Sequence, residues 1–421
     1  MEMIETTVLS NGLTLLTERM PNLRSVSIGI WLRKGSRHEE EAENGISHFL
    51  EHLVFKGTLK RTTVEIARII DSIGGQMDAF TTKEYTCFFA KVLDEHLPVA
   101  LDLLTDIVLH PRFDPKEIER ERKVIFEEIR MVEDTPDELI YDMFADHFWA
   151  GHPLGRPIQG TLDSVGSMKR DRLKSFFRES YQPGNIIISA AGNFDHGKMS
   201  DTIRAAFGSL VDQPNHQPEV VPKVRKGVVL QAKDSLGQLH VCLGLEGYPQ
   251  NDPRRFEWHV LNTLLGGSMS SRLFQNIREK RGLAYSIYSS VNAFRDAGNL
   301  LISSATNPQN GDEVVKLILE EFKELKSKPV GLEELNMAKE NLKGSLMLSL
   351  ESSSSRMSNL ARQHIYFGRQ TSLSEIIKGI ESVDQDRVLN LAREMFDQER
   401  CALAVLGKVS SFSLTEKEIS F

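Results

Sequence analysis

Five consecutive residues, His48-Phe49-Leu50-Glu51-His52, carry the strongest chemical signal in the sequence. Ile46, Phe49, Leu50 and Leu53 recur at i, i+3, i+4 and i+7, the spacing of a buried helical stripe. At about 100° per residue, His48, Glu51 and His52 then share the opposite face. Two imidazoles one turn apart can bind one zinc ion, and the carboxylate between them can serve as general base toward a water acidified by the metal. A catalytic zinc also needs a third protein ligand and an open position. A helix beginning near Asp114 offers that ligand, with Asp114 as N-cap, Pro115 in the first turn and Glu117 completing a capping box. Its apolar positions are Ile118, Val124, Ile125, Ile129 and Val132. Glu128 points with them, where a carboxylate is costly unless it is paired or bound to metal. Glu127 competes for the same role but projects about 100° away. Glu121, seven residues before Glu128 on the same face, is placed to support a ligand histidine from behind.

The elements that must position these residues fall into two halves. A chain of 421 residues exceeds one ordinary core, so two domains are expected: 1–212, a linker at 213–227 and 228–421. The linker is the proline-rich run VDQPNHQPEVVPKVRKG, poor in large apolar residues. In the first half, strands are expected at 13–17, 26–32, 86–92 and 186–191, with helices starting at Ile46 and Val64. The second half repeats the order with strands at 228–232, 240–245, 285–291, 300–305 and 401–406 and a helix over 256–265. FDPKEIERERKVIFEEI and VGLEELNMAKENLKGSL open corresponding helices in the two halves. Strands grouped around helical hairpins predict an α+β fold, two related α/β sandwich domains with helices over each sheet, joined as a clamshell.

Composition narrows the function. Apolar content of 40%, charged content of 26% and no window of roughly 18 uninterrupted apolar residues describe a chain with no membrane span, and the N-terminus has no basic flank and apolar run to mark a secretory leader. A cytoplasmic protein is expected. The formal charge of −8 argues against a nucleic-acid footprint. Cys87, Cys242 and Cys401 are odd in number and lie in apolar runs, so buried free thiols are expected rather than disulfides or thiolate metal ligands.

HFLEHLVFKGT, followed by a glutamate 76 residues after His52, resembles the pitrilysin-type (inverzincin) metallopeptidases. The likeness runs through GGQMDAFTTKEYTCFF, ERERKVIFEEI, YQPGNIIISAAGNF and GGSMSSRLFQNIREKRGLAYSIYS, and is nearest to bacterial two-domain members that resemble the catalytic β subunit of mitochondrial processing peptidase. It implies a zinc metalloendopeptidase acting on unfolded or extended peptides, with one Zn2+ per chain on His48, His52 and Glu128 and with Glu51 as base. It further implies that substrate adds as a strand along Asp78, Ala79, Phe80 and Thr81, using backbone hydrogen bonds that tolerate many sequences. The family commonly has Asn where this chain has Asp78, and a carboxylate cannot donate the amide's hydrogen bond. Arg278 and Tyr285 match a pair that family members use to hold substrate from the second half. Glu138 and Asp142, four apart on one helix face, match acidic residues that receive an arginine near the cleavage point in the mitochondrial subunit. The second half holds no second metal set, since His259 lacks the partner residues and Ser345 stands near the position of Glu128. The short LLGGSMSSRLF run favours the catalytic subtype over the noncatalytic α subunit with its long glycine-rich loop. Family members of this length usually pair, so a homodimer is expected. The competing expectation is a noncatalytic peptide-binding chamber or structural subunit of the same family.

Overall fold

The structure, a computed structural model, describes residues 4–212 and 220–421; the first part of the expected linker, 213–219, lies outside the described residues. In chain order the first half contains β1 (Ile4–Val8), β2 (Thr14–Arg19), β3 (Ser25–Leu32), α1 (Ile46–Val54), α2 (Thr63–Ser72), β4 (Gln76–Thr81) and β5 (Thr86–Leu93). There follow α3 (Leu97–Leu109), α4 (Pro115–Asp134), α5 (Pro136–Phe148), α6 (Leu162–Ser167), α7 (Arg170–Ser180), β6 (Ile186–Gly192) and α8 (His196–Phe207). The second half contains β7 (Gly227–Ala232), β8 (Leu239–Glu246), α9 (Arg255–Leu265), β9 (Ala284–Ala293), β10 (Gly298–Thr306) and α10 (Gly311–Ser327). It closes with α11 (Leu332–Ser349), α12 (Ser353–Phe367), α13 (Leu373–Glu381), α14 (Gln385–Met395) and β11 (Cys401–Gly407).

Two mixed sheets result. The first runs β1-β2-β6-β3-β5-β4 and the second β7-β11-β8-β10-β9. Each has a single parallel pair, β2 with β6 and β11 with β7, and otherwise antiparallel neighbours. Leaving out β1, the two strand orders superpose element for element, so the sequence repeat is a repeat of topology. β4 and β9 are corresponding edge strands.

Each sheet is buried on both faces, and the sequence pattern states why. In β3, Val26, Ile28, Ile30 and Leu32 join one core with α3 and α8, while Trp31 joins another with Leu16, Cys87 and Ile187. The cover for that second face is α12, through Met357, Leu360, Ala361 and Ile365. In the second sheet, β8 and β11 send Cys242, Ala402, Ala404 and Leu406 against Ile140, Phe144, Phe148 and Trp149 of the α5 segment. The close approach is possible because glycine lies beneath each helix: a Cβ on Gly29 would stand 3.1 Å from Met357 Sδ, and one on Gly244 would collide with Phe144.

The division of the chain therefore differs from a cut at the proline-rich segment. One unit comprises Met1–Met131, Arg156–Glu219 and Ser349–Gln370; the other comprises Val132–Gly155, Val220–Leu348 and Thr371–Phe421. Each half of the sequence gives one helix to the other unit, because each sheet has a second apolar face that its own half leaves bare.

Candidate metal centre

α1 forms as its periodicity predicts. Ile46, Phe49, Leu50 and Leu53 are buried, packed against Ile118, Ile125 and Ile129 of α4 and Leu173 of α7. α4 starts with Asp114 accepting the Lys116 N–H at 2.8 Å. Glu117 does not complete a capping box, because Arg120 takes its carboxylate at 2.8 Å. Val124 also leaves the expected stripe and is 41% exposed. It lies about 100° round the helix from Ile125, beyond the edge of the buried arc.

The packing of α1 on α4 brings His48, His52 and Glu128 together, with one possible ligand atom of each within 4.8 Å of the others. His48 Nε2 and His52 Nε2 lie 3.7 and 3.5 Å from the same Glu128 oxygen, Oε2. Ligand atoms of a tetrahedral zinc site stand about 3.3 Å apart when each bond is about 2.0–2.1 Å. The three residues thus fit zinc in donor type and, within small side-chain adjustments, in spacing. Glu127, the alternative, points to solvent and pairs with Arg130.

The surroundings favour neutral imidazole at one ligand and a paired one at the other. Burial, with the neighbouring His52 charge, pushes the His48 pKa down to about 4. His52 is also opposed by burial, but its hydrogen bond to the Glu121 carboxylate and the charges of Glu128 and Glu51 outweigh that and leave its pKa raised. Glu121, 3% exposed, places Oε2 3.2 Å from His52 Nδ1 and Oε1 2.9 Å from Lys56 Nζ. A carboxylate behind a histidine fixes its tautomer, leaving Nε2 as the metal-facing nitrogen. Lys56 escaped the sequence reading; it lies just past the end of α1, in the turn whose Lys56 N–H donates to the Leu53 carbonyl at 3.0 Å.

Glu51 lies on this face too, and its Oε2 accepts a hydrogen bond from Thr81 Oγ1 at the end of β4. Burial raises its carboxyl pKa; the Thr81 bond and the His52 charge only partly offset that. β4 itself pairs with β5 alone, from Gln76↔Lys91 to Thr81↔Thr86, and ends the sheet. Ala79, Phe80 and Thr81 are half-buried along it. Asp78 is exposed, and its Oδ1 accepts the Ala79 N–H at 2.8 Å, so its carboxylate is turned onto its own strand.

The other expected site residues belong to the second unit. Arg278 lies in the last turn of a π-helical stretch, Phe274–Glu279, with its guanidinium 4.6 Å from the centre of the Phe274 ring. Tyr285, in β9, is 78% exposed. Glu138 and Asp142 share a face of α5, beyond the break at Thr135 that separates this helix from α4; Glu138 is exposed and Asp142 half-buried. Among the described residues, the His48–His52–Glu128 group is the only one able to hold a metal. Cys87, Cys242 and Cys401 are buried free thiols. No helix among the described residues is long and apolar enough to cross a membrane.

Two related sandwiches, one of them carrying a histidine–histidine–carboxylate cluster that could hold a metal, define a class of protein that comparison with known proteins identifies. Residues 14–162 match the family described as Insulinase (Peptidase family M16), and residues 167–342 match the Peptidase M16 inactive domain. The chain belongs to peptidase family M16. It is 41% identical over 405 residues to "Uncharacterized zinc protease YmxG" of Bacillus subtilis, covering 96% of this chain and 98% of that one. It is 40% identical over 413 residues to an uncharacterized zinc protease of Streptomyces coelicolor, covering 96% and 89%. Among solved structures, a protease from Helicobacter pylori superposes with a TM-score of 0.91 at 25% identity, over 96% of this chain and 100% of that chain. A Pseudomonas fluorescens protein described as a peptidase M16 inactive domain shares the fold at 20% identity and a TM-score of 0.88, over 96% and 98%.

Proposed function

We propose that this chain is a zinc metalloendopeptidase that hydrolyses peptide bonds in unfolded or extended peptides. The observation that carries the proposal is the convergence of His48, His52 and Glu128 beside the buried carboxylate of Glu51. Zinc bound by the three ligands supplies Lewis acidity, which polarises a peptide carbonyl and acidifies a water. Glu51 takes the proton of the attacking water as its oxygen bonds to the carbonyl carbon. It then delivers that proton to the amide nitrogen as the C–N bond breaks, leaving a carboxylic acid and an amine, and the acid's remaining proton passes to the amine to give carboxylate and ammonium. Its raised pKa suits this exchange, since a carboxyl that holds a proton more firmly is both a better base and a usable acid near neutrality. Glu121, held by Lys56, keeps His52 oriented.

The substrate strand is assigned to the open edge of β4 at Asp78, Ala79, Phe80 and Thr81, where Thr81 already touches Glu51. Arg278 and Tyr285 are assigned to substrate holding. Glu138 and Asp142 favour peptides with arginine near the cut, two carboxylates one turn apart being matched to a guanidinium. The working form is a cytoplasmic homodimer with one zinc per chain. The experiment is cleavage of a quenched unfolded peptide before and after metal removal. Hydrolysis that stops with a chelator and returns with stoichiometric zinc supports the proposal, and hydrolysis indifferent to metal contradicts it.

A further inference from the structure

The two histidines of α1 are held by different means. His52 has Glu121 behind its ring, 3.2 Å from Nδ1. His48 has no such partner: its Nδ1 is buried without a hydrogen bond. The direction of the His48 ring therefore depends on the backbone that carries it, and His48 is the third residue of α1.

That first turn has no local cap. The N-cap position is Gly45, at φ 94°, with no side chain to accept the exposed N–H groups of the helix start. A residue six positions earlier does so instead. Glu39, 3% exposed, accepts the Gly45 N–H on Oε2 at 2.8 Å and the Ser47 N–H on Oε1 at 2.9 Å. Its Oε2 also accepts from Asn44 Nδ2 at 3.2 Å, and Asn44 is tied onward to the Pro157 carbonyl at 2.9 Å. Both carboxylate oxygens are thus spent on the helix start, in the orientation that the helix dipole favours for a negative charge.

We propose that Glu39 is a positioning residue of the metal centre: its carboxylate fixes the first turn of α1 and thereby aims His48 Nε2 at the point where His52 Nε2 and Glu128 meet. This rests on the zinc reading above. In local sequence nothing marks Glu39, because it lies outside the helix it caps.

The test measures zinc affinity of the full chain by chelator competition, well below the melting temperature of the metal-free protein, alongside that melting temperature. Glu39→Gln keeps the length of the side chain but loses the charge and one acceptor. Its zinc Kd is expected to rise about 10–100-fold, the range found when support behind a metal ligand is removed. Cobalt(II) loaded in place of zinc should show altered visible bands in this variant, since His48 has moved. An unchanged Kd and cobalt spectrum with only a lower melting temperature would overturn the proposal and reduce Glu39 to a helix cap. If Glu39→Gln does not fold, Asn44→Ala serves: it loosens the seat of Glu39, and a several-fold weaker Kd supports the proposal while an unchanged one overturns it. Wild-type chain that binds no zinc would instead refute the metal reading itself, which separates the two failures.

Discussion

Residues 1–212 produced alone should not form a stable metal-binding domain, although a cut at the proline-rich segment is the natural one to make. The fragment lacks α12, whose Met357, Leu360 and Ile365 are 2%, 1% and 6% exposed against the sheet. Burial of three such side chains contributes about 5–9 kcal/mol at about 1.5–3 kcal/mol each. That sum is comparable with the whole stability of a typical domain, about 5–15 kcal/mol. Loss of α12 also bares Leu16, Trp31 and Ile187 on the sheet, and the fragment carries the apolar face of α5 with no sheet to cover it. Size-exclusion chromatography, thermal melting and zinc titration provide the assay. The fragment is expected to aggregate or melt without a cooperative transition, and to become soluble and bind zinc when co-produced with residues 213–421. A monomeric 1–212 that melts cooperatively and binds zinc as tightly as the full chain would refute the claim that α12 completes the first unit.

Glu121→Gln should weaken zinc binding about 10–100-fold, because His52 loses the carboxylate at its Nδ1; chelator competition reads it directly. The pH dependence of zinc affinity should follow one imidazole and not two. His52, raised above 6.5, must shed its proton to bind metal as pH falls through and below its folded value, whereas His48, lowered to about 4, is already neutral. Between about pH 4.5 and 6.5 the affinity should therefore fall about tenfold per unit, one proton displaced per zinc, and a hundredfold slope in competition titrations would contradict this. Peptides with arginine close to the N-terminal side of the cut should be hydrolysed faster than alanine counterparts, and Glu138→Gln with Asp142→Asn should reduce the preference, as should added salt; mass-spectrometric mapping of products checks both. Arg278→Ala and Tyr285→Phe should lower turnover with zinc content unchanged, and unaltered kinetics in both would remove them from substrate holding.

Local patterns in the sequence were enough to place α1, because its apolar stripe and its polar face separate cleanly at helical period. Most strands were legible for the related reason that short continuous apolar runs bounded by turn residues have few other uses, as in Ile186–Gly192 and Cys401–Gly407. β1 was not: its alternation is weak and its residues are mostly exposed or half-buried. Glu128 was separable from Glu127 because the two differ by a full step around α4. Val124 was misplaced for lack of knowledge of how wide the buried arc would be. What no local pattern contains is the destination of a helix. α5 and α12 are amphipathic, and that predicts burial without saying on which sheet; the answer lies in the bare faces of strands far away along the sequence. Glu39 and Lys56 were missed for a similar reason, as their partners are defined by packing and not by a motif.

The central claim is tested most directly by the rate at which Glu51→Gln hydrolyses an unfolded peptide, with bound zinc counted in the same sample. Glu51 sits beside the ligand set without belonging to it, and Thr81 can still bond to the amide oxygen of the replacement. The variant should hold one zinc per chain like the wild type and cleave about 10²–10⁴-fold more slowly, since only the base has been removed. Wild-type rates in a zinc-loaded Glu51→Gln chain would contradict the account, as would loss of the metal from that variant.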